Sequence, residues 1–292
     1  MSSGILNVTK PVGVSSFTVV RAIGRLAGVH RVGHGGTLDP AADGVLPVLV
    51  NAATRLADFV HEWPKTYRAT IAFGFTSDTG DREGVISPGG EAGSLTAAQI
   101  QATLPAFTGR IHQVPPMHSA LKQGGEALYR KARRGETVER AARPVEVHAL
   151  SLLDYDPRAA KARLEITSGK GLYVRSLAHD LGQRLGCGAY LQALTRIAYG
   201  PLHLADAVTT AELIGGDTPW GRWLLPMDLP LRDWPALQLD PADADAVSHG
   251  RAITASRASP GRYRLVDQDG RLLGWATVDA SFQAQPRAVF SS

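Results

Sequence analysis

Residues 31–47 read RVGHGGTLDPAADGVLP and place one carboxylate, Asp39, between a glycine-rich turn and an apolar run. Three of the first six residues are glycine, the residue type favoured where the backbone takes a positive φ or passes close to a ligand. Residues 45–50 are apolar enough for a buried strand or helix segment. Asp39 followed by Pro40 is also a common helix start, with the aspartate as N-cap. The stretch therefore predicts either a functional carboxylate or a structural cap.

This stretch resembles the catalytic motif of the TruB family of tRNA pseudouridine synthases. The resemblance rests on residues 33–40 (GHGGTLDP), 44–48 (GVLPV) and 53–55 (ATR). It implies that Asp39 is the catalytic aspartate and that His34 occupies part of the space left by a flipped-out base. The implied reaction converts the uridine at position 55 in the T loop of tRNA to pseudouridine. Because substrate and product are isomers, the resemblance implies that no cofactor and no metal are needed.

One segment before this stretch and one after it resemble further motifs of the same family. Residues 10–16 (KPVGVSS) resemble the first motif, which implies that Lys10 binds substrate. Residues 65–68 (KTYR) resemble the second, which implies that Tyr67 lies in the active site, where it stacks on the extruded base and helps to remove the proton on C5. A tyrosine in a strand is more often an ordinary residue of a sheet face, so the residue types alone leave both interpretations of Tyr67 open.

A partner for the aspartate is predicted far along the chain. Residues 171–175 (GLYVR) resemble the family's Gly-x-Tyr-x-Arg motif, which implies that Arg175 pairs with Asp39 and that Tyr173 lies beside them. An arginine buried next to a carboxylate keeps it ionised and oriented through a charge-assisted fork. The family's Leu-x-Arg motif follows, and it implies that Leu194 forms an apolar wall. The predicted catalytic pair is therefore Asp39 with Arg175.

Positive charge is concentrated in one segment of the chain, whose formal net charge is +4 in total. Between residues 109 and 147 eight Lys and Arg face four Glu, whereas from residue 232 to the end seven Arg balance seven Asp. The basic segment resembles the inserted RNA-binding segment of the family, at about residues 109–145. We expect its central arginines to contact tRNA phosphates: Arg130, Arg133 and Arg134. A solvated helix face would show the same charge pattern.

Hydrophobic periodicity predicts a chain of mixed helices and strands. Alternating apolar residues predict half-buried strands at 65–74 and 162–168, and a 3.6-residue period predicts a helix capped by Ser15 or its neighbour. The resemblance implies an α+β pseudouridine synthase fold with a mixed, mostly antiparallel sheet flanked by helices. It assigns residues 1–226 to a catalytic domain and residues 227–292 to a small PUA-like β domain. Short strands around residues 263–266 and 272–276, joined by the turn 267–270, predict a hairpin in this domain. A generic small β domain would fit the same residues.

Several function classes lack their signatures in this sequence. We find no phosphate-binding G-x-x-x-x-G-K-[ST] loop, no dinucleotide-binding G-x-G-x-x-G and no G-x-S-x-G nucleophile elbow. His30 and His34 stand four residues apart, but Gly33 disfavours a helix that would present both to a metal. The single Cys187, apolar windows shorter than about 20 residues and the lack of a signal peptide predict a cytoplasmic protein without membrane spans. We expect a monomer whose partner is the T arm of tRNA.

Two other functions stay open on the residues alone. The first is a non-catalytic RNA-binding or tRNA-folding protein, which would use the basic segment and the C-terminal domain but would not need Asp39. The second is an aspartate-dependent glycoside hydrolase, which normally needs two carboxylates. Asp43 or Asp81 would have to serve as the second carboxylate, and nothing near either of them predicts a raised pKa.

Overall fold

The computed structural model describes residues 2–119, 121–215 and 218–290, without the side chain of Arg133. In chain order the strands of these residues are β1 (Gly4–Lys10), β2 (Val32–His34), β3 (Asp43–Val50), β4 (Lys65–Phe73), β5 (Phe75–Ser77), β6 (Ile86–Pro88), β7 (Gly109–Gln113), β8 (Lys122–Gln123), β9 (Glu126–Ala127), β10 (Arg143–Asp156), β11 (Lys161–Ser168), β12 (Ala189–Tyr199), β13 (Leu202–His203), β14 (Val208–Thr209), β15 (Leu224–Leu225), β16 (Ala236–Gln238), β17 (Ile253–Thr254), β18 (Gly261–Val266), β19 (Leu272–Val278) and β20 (Gln283–Val289). The α-helices are α1 (Ser16–Ala27), α2 (Ala57–Glu62), α3 (Ala97–Thr103), α4 (Leu128–Arg133), α5 (Val174–Arg184), α6 (Thr210–Gly215) and α7 (Pro241–Ser248).

Within the described residues, eleven strands form the main sheet, in the order β14-β1-β3-β12-β4-β11-β10-β7, with β2 on β3, β13 on β12 and β15 on β1. The pairs β1–β14 and β3–β12 are parallel, and the other neighbours are antiparallel. The predicted α+β fold with a mixed, mostly antiparallel sheet is confirmed. Because β12 lies between β3 and β4, the sheet brings together segments that are far apart in the sequence.

Strand β4 runs through the middle of the main sheet and supplies one side of the core. Tyr67, Ala69, Ile71 and Phe73 are buried, as their alternation predicts. On the neighbouring strand β11, Ile166 is paired with Tyr67 and is also buried. Burying a large apolar side chain stabilises a fold by about 1.5–3 kcal/mol. A slip of one residue would turn this whole set toward the other face, so the alternation fixes the register.

Helix α1 lies against the main sheet and begins at the predicted cap. The Ser15 hydroxyl accepts a hydrogen bond from the Thr18 N–H at 3.1 Å, and Gly28 ends the helix in the left-handed conformation with φ +63°. Between them, Val19 and Ile23 are buried on the face that packs on the sheet. No helix in the described part of the chain combines the length and the apolar character needed to cross a bilayer.

The C-terminal sheet has the order β16-β18-β19-β20-β17, and α7 contacts β17 and β20. The predicted hairpin is confirmed in β18 and β19. Three rings join this sheet to the rest of the chain: Phe59, Trp234 and Trp275 form edge-to-face pairs with centroids 5.2, 5.4 and 5.6 Å apart. Leu231 and Phe290 are buried beside them. The two sheets are therefore joined by a defined apolar junction, while the division after residue 226 stays a prediction.

The segment predicted as an insertion, at about residues 109–145, contains both an edge strand and a separate part. Strand β7 pairs with β10 at the edge of the main sheet. After it, β8 and β9 form a small hairpin that leads into α4. The first residues of the segment are thus part of the main sheet, and the bounds of the insertion stay a prediction.

Candidate active site

Asp39 lies in the aspartate loop, residues 35–42, which connects β2 to β3. In this loop the Ala42 N–H donates to the Asp39 carbonyl at 3.1 Å, and β3 then begins at Asp43. Strand β3 pairs with β1 along the whole length of β1. A hydrogen-bonded turn therefore follows Asp39, but no helix begins there, and the interpretation of Asp39 as a helix cap is wrong. Pairing and burial in the sheet outweigh the local signal for a helix start.

The glycines that precede Asp39 are needed for close packing. None of the three, Gly33, Gly35 and Gly36, has a positive φ, so the first of the two expected reasons for glycine does not apply to them. A Cβ on Gly36 would instead lie 2.8 Å from the Tyr199 hydroxyl oxygen, and a Cβ on Gly35 would overlap Val60. A Cβ on Gly33 would meet its nearest neighbour at 3.8 Å, which is an ordinary contact. Two of the three glycines therefore let the loop lie directly against buried side chains.

Two side chains of β12 hold the aspartate loop, and the role of neither was predicted from the sequence. Arg196 is buried and donates to three carbonyls at 2.7–3.4 Å, those of Val45, Gly36 and Thr37. The Tyr199 hydroxyl donates to the Gly35 carbonyl. A buried guanidinium needs acceptors for its donors, and these bonds fix the loop carbonyls in turn. The arginine of the Leu-x-Arg motif was visible in the sequence, but its partners lie 151–160 positions away.

The predicted pair of Asp39 and Arg175 is together in the structure. Arg175 lies in the first turn of α5, and only 5% of its side chain is exposed. Its Nη2 lies 3.0 Å from Asp39 Oδ2 and donates to the His118 carbonyl at 2.8 Å. Its Nη1 donates to the Thr79 carbonyl at 3.1 Å, and its Nε lies 3.6 Å from Asp81 Oδ2. Each guanidinium nitrogen has a partner, so the side chain is held in one orientation toward Asp39.

Burial and Arg175 shift the pKa of Asp39 in opposite directions. Burial raises the pKa of this carboxyl above its ordinary value, Arg175 lowers it, and the Asp81 carboxylate raises it again. The net direction is upward, so the attraction of the arginine does not outweigh the cost of burial. The Asp39 side chain is nevertheless 41% exposed, because it lines an open cavity. The acid is thus accessible to a ligand, and its charge depends on Arg175.

A cavity of about 310 Å³ borders this pair. Three more of the predicted site residues line it together with Asp39 and Arg175: Tyr67, Tyr173 and Leu194. Aromatic faces hold a nucleobase by stacking, which contributes about 1–3 kcal/mol per base. The structure therefore brings five predicted residues to the wall of one cavity whose chemistry suits a planar, uncharged base beside a carboxylate.

Lys65 also lines the cavity, and the sequence analysis did not single it out. Its Nζ donates to the His61 carbonyl at 2.5 Å and lies 4.8 Å from the centroid of the Tyr199 ring. Burial, together with the charge of Arg196, lowers the pKa of Lys65 to about 8. Lys65 is the lysine of the KTYR segment, in which only the tyrosine was interpreted. A buried lysine of this kind can gain or lose its proton near neutral pH.

Two predicted substrate-binding residues do not line the cavity, and one of them is fully enclosed. Lys10 is completely buried at the end of β1, where its Nζ donates to the carbonyls of Pro11 and Val14 at 2.8 Å each. Burial lowers the pKa of Lys10 to about 8. The ammonium of Lys10 therefore closes the turn after β1, and the contact of Lys10 with substrate stays a prediction. His34 is half-buried in β2, where burial lowers its pKa and favours the neutral ring.

The predicted phosphate-binding arginines lie on or next to α4, and their described side chains do not line the cavity. Arg134 forms a fork to Glu126 with distances of 2.7 and 2.9 Å and a further bond of 2.7 Å to Glu136. Arg130 lies over the ring of the preceding tyrosine at 6.0 Å. The side chain of Arg133 is outside the described part of the chain. Local carboxylates therefore compensate the charge of Arg134, and phosphate binding by these arginines stays a prediction.

Models of three protein families match consecutive parts of the chain. Residues 24–174 match the TruB family pseudouridylate synthase N-terminal domain. Residues 175–232 match the tRNA pseudouridylate synthase B C-terminal domain, and residues 235–290 match the C-terminal family of pseudouridine synthase II TruB. Asp39 lies within the first match, and Arg175 is the first residue of the second. The two residues that pair at the cavity therefore lie in parts of the chain that match two different family models.

Curated proteins from several bacteria are similar to this chain over almost its whole length. The chain is 38% identical to a protein of Pseudomonas putida over 296 residues, which cover 99% of the chain and 96% of that protein. It is 39% identical to a protein of Xanthomonas campestris, with 99% and 94% covered, and 41% identical to a protein of Syntrophomonas wolfei, with 94% and 93% covered. Each of these relatives is named tRNA pseudouridine synthase B.

Solved structures show the same fold at lower identity. A chain of an H/ACA RNP bound to a substrate RNA containing 2'-deoxyuridine aligns with a TM-score of 0.73 at 21% identity, covering 99% of this chain and 85% of that one. A chain of a Cbf5-Nop10-Gar1 complex aligns with a TM-score of 0.71 at 22% identity, covering 99% and 84%. With the family matches and the identities to the bacterial relatives, the conclusion is that this chain belongs to the TruB family of pseudouridylate synthases.

Proposed function

We propose that this protein isomerises uridine to pseudouridine at position 55 in the T loop of tRNA. The observation that carries the proposal is the contact of Asp39 with Arg175, 3.0 Å apart at the wall of a cavity lined by aromatic rings. The names of the bacterial relatives support the same activity. The proposed partner is the T arm of tRNA, and the protein acts on it as a monomer in the cytoplasm.

The proposed reaction balances within one nucleotide. The N1–C1′ bond breaks, the base turns, and a bond forms between C5 and C1′. C5 loses its proton and N1 gains one, so no oxidant or reductant is consumed. The ionised Asp39 supplies the electron pair that attacks the extruded nucleotide, as carboxylates do in covalent glycosyl chemistry. Arg175 keeps that carboxylate charged and oriented toward the cavity.

The cavity side chains hold the nucleotide during this reaction. Extrusion of a base from its stack costs a few kcal/mol. Stacking on the Tyr67 ring offsets about 1–3 kcal/mol of that cost, and the phenol oxygen of the same side chain helps to remove the C5 proton. Tyr173 and Leu194 close the remaining sides of the cavity. The site therefore stabilises a base outside the helix while leaving its sugar next to Asp39.

Other parts of the chain bind the RNA outside the cavity. In the proposal, His34 occupies the space that the base leaves, and the arginines of the insertion, about residues 109–145, hold phosphates: Arg130, Arg133 and Arg134. Residues 1–226 form the catalytic domain, and residues 227–292 form a PUA-like domain that adds RNA contacts. Lys10 stabilises the turn next to the aspartate loop, on which the nucleotide is held.

The test is release of tritium from 5-tritiated uridine in a T-arm transcript. The protein is expected to release tritium until all target uridine is converted, because the C5 proton must leave. Binding of the transcript is measured in the same samples. A protein that binds the RNA and releases no tritium would be an RNA-binding or tRNA-folding protein, and the proposed activity would be refuted.

A further inference from the structure

A second basic surface lies outside the predicted insertion. Between residues 10 and 38 the chain contains four Lys and Arg and no Asp or Glu, which is a net charge of +4, the same as for residues 109–147. Three of the four are exposed arginines: Arg21, Arg25 and Arg31. Positive charge is therefore available on the side of the molecule formed by α1 as well as on the insertion.

Three side chains of this surface form the α1 row: Phe17, Arg21 and Arg25. They are spaced four residues apart in one helix, so they lie along one face. The Phe17 side chain is 64% exposed, and the Arg21 guanidinium carbon lies 5.7 Å from the centroid of its ring. A groove of about 540 Å³ beside the row is lined by both arginines and by His30. The row thus combines two cations, an exposed ring and a concave surface.

The charges of the α1 row are not compensated by acids. Among the described side chains, no Asp or Glu forms an ion pair with Arg21 or Arg25. Arg134 of the insertion, in contrast, is bonded to two glutamates. An exposed arginine without an acidic neighbour can bind a phosphate without first giving up an ion pair. The arginines of the α1 row can therefore bind a polyanion without losing an ion pair, whereas Arg134 cannot.

The α1 row begins at the candidate active site. Ser16, the neighbour of Phe17, donates its hydroxyl to the Leu38 carbonyl at 3.0 Å and accepts the Leu38 N–H at 2.9 Å. Leu38 directly precedes Asp39 in the chain. From this point α1 extends for 12 residues, which is about 18 Å at 1.5 Å per residue. A polyanion that places one nucleotide at Asp39 therefore passes within reach of the row.

We propose that the α1 row is a second RNA-binding surface, on which Arg21 and Arg25 hold backbone phosphates of the tRNA next to the nucleotide that enters the cavity. The proposal rests on the proposed function, because it takes tRNA as the polyanion. Guanidinium groups match phosphate oxygens with a planar fork of donors. Phe17 supports the Arg21 guanidinium through its ring and offers an apolar edge to a ribose or a base.

The test is the salt dependence of tRNA binding by full-length protein. The variant Arg21→Gln with Arg25→Gln removes two charges at exposed positions, and circular dichroism checks that it is folded. Binding of a tRNA transcript is measured at several salt concentrations. Each lost phosphate contact lowers the slope of log K against log salt by about 1, so the slope is expected to fall by about 2 and the affinity roughly three- to tenfold.

The matched control is Arg158→Gln with Arg184→Gln, which removes the same charge at other exposed positions. Arg158 lies in the turn between β10 and β11, and Arg184 ends α5 at the opposite end from Arg175. An α1 variant that binds with the slope and affinity of this control overturns the inference, and the row then serves another partner, such as a protein. Tritium release by the unchanged protein is measured on the same transcript. If the unchanged protein releases tritium but the α1 variant and the control variant have equal salt slopes, only the proposed RNA-binding surface is refuted. If the α1 variant has the lower salt slope but the unchanged protein releases no tritium, the surface is supported and the proposed activity is refuted.

Discussion

Among the described residues that line the cavity, Asp39 is the one side chain that combines a negative charge with exposure to a ligand. Asparagine has nearly the same shape but cannot supply an electron pair as a carboxylate does. We expect Asp39→Asn to lower the rate of tritium release by roughly 10³-fold or more, while tRNA binding changes little. Single-turnover tritium release and equilibrium binding with the same transcript measure the two quantities. Asp58→Asn, a change at an exposed acid of α2, is the control, and normal turnover by Asp39→Asn would show that Asp39 is not catalytic.

The pH dependence of the rate reports on Arg175. Burial raises the pKa of Asp39 and Arg175 opposes this, so Arg175→Gln is expected to raise that pKa further. A carboxylate that must be ionised loses activity as the pH falls through its pKa. The acid limb of the profile of single-turnover rate against pH is therefore expected at higher pH in Arg175→Gln than in the unchanged protein.

A second substitution at the same position separates charge from geometry. Arg175→Lys keeps a positive charge near Asp39 but loses the fork that also binds the carbonyls of Thr79 and His118. Its acid limb is expected between those of the unchanged protein and Arg175→Gln, with a lower rate at the plateau. If the acid limb stays in place in both variants, the charge of Arg175 does not control the ionisation of Asp39.

At the scale of elements, β12 determines where the aspartate loop lies. A Cβ on Gly36 would meet the Tyr199 hydroxyl oxygen at 2.8 Å, so the loop must shift in Gly36→Ala. A misplacement of about 1 Å can cost 10²-fold in rate, and we expect kcat to fall roughly 10- to 100-fold with a smaller change in KM. Gly33→Ala is the matched control, because its nearest contact would be 3.8 Å. Equal kcat values for the two variants would contradict this account of the loop.

The contact between Gly36 and Tyr199 can be tested on its own. Tyr199→Phe removes the hydroxyl that donates to the Gly35 carbonyl, and this loss is expected to cost about 1–2 kcal/mol of stability. The same change removes the atom nearest to a new Cβ at position 36. Gly36→Ala is therefore expected to lower kcat less in the Tyr199→Phe background than in the unchanged protein. Strictly additive effects in a cycle of the four proteins would show that the two residues do not interact.

Local patterns in the sequence were sufficient to predict those helices and strands whose stability depends on their own side chains. The alternation from Tyr67 to Phe73 predicts β4, and the Ser15 cap predicts the start of α1. The same kind of pattern indicates a helix start at Asp39 that does not form, because β3 pairs with β1 and this pairing is a non-local interaction. The role of Arg196 and the burial of Lys10 were not predicted for the same reason, since both depend on strands that only the folded chain brings together.

At the scale of the whole molecule, the order of the main sheet assembles the site. Strand β12 lies between β3 and β4 and so connects the aspartate loop with the strand of Tyr67, while α5 packs on β12 and presents Arg175. Neither composition and periodicity nor the resemblance predicted this order of strands. The resemblance predicted only that the separated motifs meet in one site. The junction of the two sheets was not predicted, because its rings come from three distant segments.

The junction holds the C-terminal sheet in place against the main body of the protein. Phe59 of α2 lies edge-to-face on Trp234 and Trp275, with centroids 5.2 and 5.4 Å away. Because Phe59 is half-buried, Phe59→Ala is expected to weaken the junction by about 2–4 kcal/mol, at or below the cost for a fully buried ring. The core of the C-terminal sheet does not contain Phe59, so this sheet is expected to stay folded but to separate from the main sheet more often.

Cleavage of the connecting chain measures this separation. A protease is expected to cut residues 226–235, between β15 and β16, faster in Phe59→Ala than in the unchanged protein, since the junction covers part of this segment. Phe75→Ala removes a ring of the same size that is 48% exposed and belongs to none of the three ring pairs of the junction. If both variants are cut at the same rate, the ring cluster does not hold the two sheets together, and their contact must depend on other residues of the junction, such as Leu231 and Phe290.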